Sequence, residues 1–163
     1  MKHIQLKQIE ELNDKQWIEV LQTVKQSKIN LHYFDKKFKG TAEELKKEWL
    51  DYEVLEIDDC GIFGKKYYVL CVKEKVVGVV CFDIADTNAE MIVAVNKKYR
   101  NKGYGKILVL MAECEFIKNY EMKYIVADIY DNEPSLKLFL SCGYLSNGVE
   151  YIKWFAFNYF KGK

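Results

Sequence analysis

The sequence predicts an α/β fold, one mixed sheet with helices packed on it, and three observations predict it. Strand-like and helix-like segments follow one another as β-α-α-β-β-β-α-β-α-β, with no repeat, linker or low-complexity tract. The middle of the chain, from Lys66 to Val95, falls into short runs rich in β-branched and aromatic residues. Finally, the apolar run Met91-Ile92-Val93-Ala94-Val95 leads through Asn96-Lys97-Lys98-Tyr99-Arg100-Asn101-Lys102-Gly103-Tyr104-Gly105-Lys106 into a second apolar segment that has no further glycine or proline.

Taken in order, residues 3 to 7 alternate weakly as a first strand, and Glu10 to Gln26 carries Leu12, Trp17, Val20, Leu21 and Val24 at helical spacing. Ser27 to Gly40 is apolar but aperiodic, a loop of the kind that lines binding sites. Thr41-Ala42-Glu43-Glu44 is a capping box that opens a second helix running to about Tyr52. Lys66 to Lys73 and Val76 to Ile84 form a hairpin around Glu74-Lys75, and Gly78 signals a bulge or a close backbone approach. Asp86-Thr87-Asn88 turns the chain into the strand Ala89 to Val95. A third helix spans Tyr104 to about Tyr120, with Ile107, Leu110, Met111, Cys114 and Ile117 on one face. Lys123 to Tyr130 is the next strand. A short helix then starts with Asn132 or Asp131 near its cap and Pro134 in its first turn, and stops at Gly143. Val149 to Phe160 is strand-like, either one long strand or a tight pair.

At 163 residues the chain is expected to form a single domain over 1–163, burying about two thirds of its unfolded surface without a staple. A net charge of +1 gives no overall drive toward nucleic acid or an anionic membrane. Five cysteines without a C-x-x-C spacing argue against a disulfide framework or a zinc site and fit a reducing cytoplasm. His3 and His32 lack the partners for metal binding or nucleophilic catalysis, so no metal is expected. With no apolar leader and no run of 18 apolar residues, a cytoplasmic protein is the expectation.

The passage from Val95 to Lys106 has the chemistry of a phosphate cradle. First-turn N–H groups of a helix lack intrahelical partners and carry the positive end of the dipole, and lysines and an arginine surround them here. Arg100-Asn101-Lys102-Gly103-Tyr104-Gly105 also resembles the acyl-CoA motif [Q/R]-x-x-G-x-[G/A] of the GNAT superfamily of N-acetyltransferases. Asn132-Glu133-Pro134-Ser135 through Gly143-Tyr144 resembles that superfamily's second pattern, Asn-x-x-[A/S] followed by Gly-[F/Y]. The resemblance covers residues 66 to 144 well.

The resemblance implies a mixed, mostly antiparallel sheet whose fourth and fifth strands splay apart, with helices on both faces. It further implies pantetheine contacts from the main chain of Val93 and Val95, and pyrophosphate contacts from the N–H groups of Asn101, Lys102, Gly103, Tyr104, Gly105 and Lys106. The side chains of Arg100 and Lys102 would lie nearby, and Asn132 would help to hold the cofactor arm. The implied reaction is acetyl transfer from acetyl-CoA to a primary amine of a small molecule or peptide, by direct attack in a ternary complex. Such attack needs a base for the ammonium, and Glu90, which shares a face with Ile92 and Ala94, is the first choice, before Asp83 and Asp86. Where many members carry a tyrosine general acid this chain has Phe139, which leaves Tyr144, Tyr130 or bulk water for that role. The same departure motivates an alternative, a noncatalytic acyl-CoA-binding or protein-interaction module. The acidic run from Glu43 to Asp59 suits a cationic acceptor, and an aromatic tail with two apolar faces suggests a homodimer through the C-terminal strand.

Overall fold

The computed structural model describes residues 3–27, 38–53, 61–129, 132–148 and 150–155, together with the backbone of 56–58. Its centre is a pair of long strands, β3 (Gly61–Val72) and β4 (Lys75–Ala85), whose apolar runs are buried on both faces as expected of strands covered from two sides. Sheet order is β1 (Ile4–Gln8), β3, β4, β5 (Asn88–Val95), β6 (Tyr124–Ala127), β8 (Tyr151–Trp154) and β7 (Leu145–Ser146), with β2 (Glu56–Asp58) sharing the outer edge of β3 with β1. Every pairing is antiparallel except β5 with β6.

Two helices cover each face. On one, α1 (Asp14–Gln26) and α2 (Ala42–Tyr52) pack Trp17, Val20, Leu45 and Trp49 against Tyr67, Val69, Val79 and Cys81. On the other, α3 (Tyr104–Asn119) and α4 (Glu133–Ser141) bury Leu108, Ala112, Phe116 and Phe139 against Tyr68, Val80, Phe82 and Met91. The Phe82 and Phe116 rings stack at 4.0 Å, and Trp49 stacks on Tyr67 at 4.3 Å.

Several elements differ from the sequence reading for identifiable reasons. The first helix is broken: a 3-10 turn (Ile9–Glu11) precedes α1, because Asn13 and Gln16 form a capping box that starts the α-helix afresh. The β3–β4 loop is Lys73-Glu74, both at positive φ (49° and 62°), the geometry a two-residue hairpin demands whatever its residue types. At Gly78 both expectations are met. The register shifts opposite it, and an added Cβ would lie 2.9 Å from both Ala94 O and Leu108 Cδ2.

The expected face of α3 is corrected. Leu110 and Cys114 are exposed, while Tyr104, Leu108, Ala112 and Phe116 make the packed stripe. A helix with apolar residues on all sides offers no unique stripe to its periodicity. Gly143 does end α4 at φ 92°, and the described part of the tail, residues 150–155, holds the single strand β8, paired with β6 and with β7, which precedes the tail. His32, Cys60, Tyr130, Phe157, Tyr159 and Phe160 lie outside the described residues.

Candidate active site

The site begins where the sheet forks. The parallel ladder joins Asn88 to Tyr124, Ala89 to Ile125 and Glu90 to Val126, and β5 then runs on to Val95 without β6. The direction of the exposed backbone follows from alternation along a strand. Asn96 N donates to Val77 O in β4, whereas Thr87 O accepts from Lys123 N on the β6 side, so the N–H and C=O of the odd-numbered Val93 and Val95 turn toward the fork. Val95 O is met there by Arg100 Nε at 2.9 Å, which folds the arginine back across the end of the open edge.

This edge leads to the first turn of α3. A short 3-10 turn, Lys97–Tyr99, precedes a loop in which Asn101 (φ 58°) and Gly103 (φ 80°) are left-handed, and Gly103 is the N-cap of α3. With no side chain at the cap, the N–H groups of Tyr104, Gly105 and Lys106 face outward uncapped. An added Cβ at Gly103 would meet nothing within 4 Å, so the space over the turn is open. At Gly105 it would lie 3.3 Å from Leu138 Cδ2 and 3.7 Å from Val95 Cγ2, which shows α3, α4 and β5 converging at the mouth of the fork. Lys97, Lys98, Arg100, Asn101, Lys102 and Lys106 are exposed around it, with Lys102 Nζ bonded to Lys98 O at 2.8 Å. Across the fork, Asn132 caps α4 by accepting from Ser135 N at 3.2 Å. The backbone edge, the uncapped turn and the basic rim suit an extended ligand that ends in phosphates.

Glu90 is the last paired residue of β5 before the fork, directly opposite Asp83 of β4 and on the face shared with Ile92 and Ala94. Asp83 is bound to Lys65 Nζ at 2.6 Å, an ion pair that sequence reading missed. Lys65 does alternate with Tyr67 along β3, which is the signal that would place it on this face. Asp86 sits in the exposed β4–β5 turn at φ 57°. Burial pushes the thiol of Cys81, on the same face, up to about 12, so it supplies no thiolate nucleophile near neutral pH.

Tyr144 does not fit the acid role. It is fully buried on the α3 side of the sheet, its hydroxyl 4.0 Å from Met91 Sδ, whereas Glu90 belongs to the α1/α2 face. Burial, with the Glu113 carboxylate beside it, raises its pKa far above the ordinary phenol value. Phe139 packs edge-on against it at 4.9 Å. The acidic run is divided as well. Glu44, Glu48 and Asp51 line a shallow surface cleft on α2 with Lys47 and Tyr52, but Glu53 turns inward to Lys66 at 2.8 Å.

The chain matches the model of the acetyltransferase (GNAT) family over residues 27–144. It belongs to that family. GNAT structures share its fold across nearly the whole chain. A mutant form of the spermidine N-acetyltransferase SpeG from Vibrio cholerae matches with a TM-score of 0.70 at 13% identity, covering 93% of each chain. The ribosomal-protein-S5-alanine acetyltransferase of Vibrio fischeri matches at 0.69 and 16%, covering 94% of each. The Campylobacter jejuni N-acetyltransferase PseH, solved with acetyl coenzyme A, matches at 0.60 and 19%, covering 92% of this chain and 96% of its own. No curated protein sequence gives a significant match. As a GNAT protein the chain is an N-acetyltransferase by family. No helix among its described residues is long and apolar enough to cross a membrane, and no cluster there suits a metal.

Proposed function

We propose that the chain moves an acetyl group from acetyl-CoA to a primary amine of a small molecule or peptide, by direct attack in a ternary complex. The observation that carries this reading is the fork, where the edge of β5 at Val93 and Val95, beyond its pairing with β6, runs straight into the uncapped first turn of α3. That edge would hold the pantetheine arm by strand-like hydrogen bonds. The N–H groups from Asn101 to Lys106 would take the pyrophosphate, with Arg100 and Lys102 beside it and Asn132 closing the far side.

An ammonium cannot attack a thioester until it loses a proton. Glu90, at the apex of the fork, is the group proposed to accept it, directly or through water. The neighbouring Asp83 is bound to Lys65 at 2.6 Å. Protonation of the leaving thiolate is assigned to water. The acidic cleft of α2 favours a cationic acceptor. Neighbours whose names specify spermidine and a ribosomal-protein alanine are consistent with an amine. Trp154, exposed on β8, supports a homodimer through the C-terminal strand, which sedimentation in the ultracentrifuge as a function of concentration would test.

The test of the reaction is thiol release from acetyl-CoA across a panel of polyamines, amino sugars, amino acids and peptides. Release that depends on one class of amine is expected. Binding of acetyl-CoA with no release on any amine would replace this reading by that of a CoA-binding module.

A further inference from the structure

Asn96 is the residue between β5 and the phosphate loop, and all four of its hydrogen-bonding groups are engaged. Its N–H donates to Val77 O of β4 and its C=O accepts from Tyr99 N at 2.8 Å. The side-chain Oδ1 accepts from Lys98 N at 3.1 Å, while Nδ2 donates to Thr23 Oγ1 of α1 at 3.2 Å. Asn96 is 5% exposed and Thr23 is fully buried. Thr23 in turn donates to Glu19 O, so its hydroxyl has a fixed direction from which to accept. One residue on, Lys97 N donates to Gln26 Oε1, a second bond between the last turns of α1 and the same loop.

We propose that Asn96 is a positioning residue that locks the phosphate loop to α1 through Thr23, and so sets the affinity for CoA without touching it. The loop gains from such a lock because the two residues at left-handed backbone, Asn101 and Gly103, are types that move readily between that region and others, so their own preferences do not hold its shape. The Asn96 side chain fixes the 3-10 turn at the start of that loop, and Gly103 at its other end carries the uncapped helix terminus. A loop free to relax would present its N–H groups to a phosphate less often, and apparent affinity falls in proportion to the competent fraction. Thr23 lies beneath the sheet in α1, so an effect of its hydroxyl on CoA binding has no route by direct contact.

The inference rests on the CoA-binding reading above, and calorimetric titration of CoA separates the two. Thr23→Val is expected to weaken CoA binding by about three- to tenfold, the worth of one buried hydrogen bond, while Thr23→Ser keeps the hydroxyl and the wild-type Kd. Asn96→Ala should weaken it at least as much, and the double variant Asn96→Ala/Thr23→Val no more than Asn96→Ala alone. At saturating acetyl-CoA, kcat should be unchanged while KM for acetyl-CoA rises. If Asn96→Ala does not fold, the Thr23→Val and Thr23→Ser pair decides the matter. Equal CoA affinity in wild type, Thr23→Val and Thr23→Ser would overturn the inference and leave the site intact. Absence of CoA binding to the wild type would instead overturn the site.

Discussion

Among the described residues β3 and β5 each have an interrupted edge, and the two gaps are met in different ways. The outer edge of β3 pairs with β1 from Tyr68 to Val72 and with β2 from Gly61 to Phe63. Between them Tyr67 N would be left without a strand partner, and the protein supplies one of its own: Glu53, at the end of α2, accepts from it at 3.2 Å. Doing so buries a carboxylate, which then requires Lys66 at 2.8 Å. At the fork, among the described residues, no carboxylate is brought in to meet Val93. Unmet backbone groups inside a protein are costly, so a gap left open beside an uncapped helix terminus is one that a ligand is expected to fill.

The largest effect should come from the chemistry at the apex of the open gap. Glu90→Gln preserves size and removes the proton acceptor, and kcat is expected to fall about 10²-fold or more with CoA affinity unchanged, as read by steady-state thiol release and calorimetry. Asp83→Asn, which breaks the Lys65 pair instead, should cost less. The reverse order would move the base to Asp83. Next comes the ligand side of the comparison. Gly105→Glu would place a carboxylate at the uncapped turn and press on Leu138, so it should remove the rise in Tm that CoA gives the wild type. The measurement is the shift on adding CoA, since the variant's own baseline will be lower. A shift equal to wild type would show that the first turn of α3 does not hold the phosphates.

The closed gap has a pH signature. Burial pushes the Glu53 carboxyl up from 4.5 to about 7, against the opposing pull of Lys66 and of Tyr67 N, and the facing Glu10 adds to the rise. Between those two values the folded chain holds a proton that the unfolded chain has released. The contribution of Glu53 to stability therefore falls as pH rises from about 4.5 to 7, with a slope of at most about 1.4 kcal/mol per pH unit. Denaturant titrations across this window should show Glu53→Gln flattening that slope. An unchanged slope would mean that another group carries it.

The residues that were legible in the sequence are those that answer to local geometry. Gly103 and Gly143 mark left-handed positions, Thr41 and Glu44 close a capping box, and Pro134 sits in a first turn, each fixed by its own few neighbours. Glu90 was placed on its face by simple alternation with Ile92 and Ala94. What escaped were partnerships made across the fold. Glu53 with Lys66 and Asn96 with Thr23 join segments that no spacing relates, and Asp83 with Lys65, though opposite each other in the β3–β4 hairpin, depends on the register shift opposite Gly78. The stripe of α3 escaped for the opposite reason. Leu108 and Leu110 are equally apolar, and only the sheet beneath chooses Leu108.

Tyr144 shows how such cross-fold contacts overrule a motif. It follows Gly143 as the resemblance requires, yet its ring is enclosed by Phe139 and by Lys153, whose Nζ lies 5.7 Å from the ring centroid. Lys153 is itself bound to Glu113 at 2.6 Å and to Cys142 O at 2.8 Å, so β8, α3 and the end of α4 meet around the tyrosine. The hydroxyl lies 4.0 Å from Met91 Sδ, a weak acceptor, and beside the Glu113 carboxylate. Tyr144→Phe removes that hydroxyl and keeps the ring packing. Thiol release by the variant is expected within about threefold of wild type, with stability changed by about 1 kcal/mol or less. Tyr144→Ala should instead destabilise by about 3–5 kcal/mol, because it empties a volume between two helices and the sheet. A loss of 10²-fold in kcat for Tyr144→Phe at unchanged stability would return the tyrosine to the chemistry, and would require its hydroxyl to reach the fork from a rotamer other than the one it occupies here.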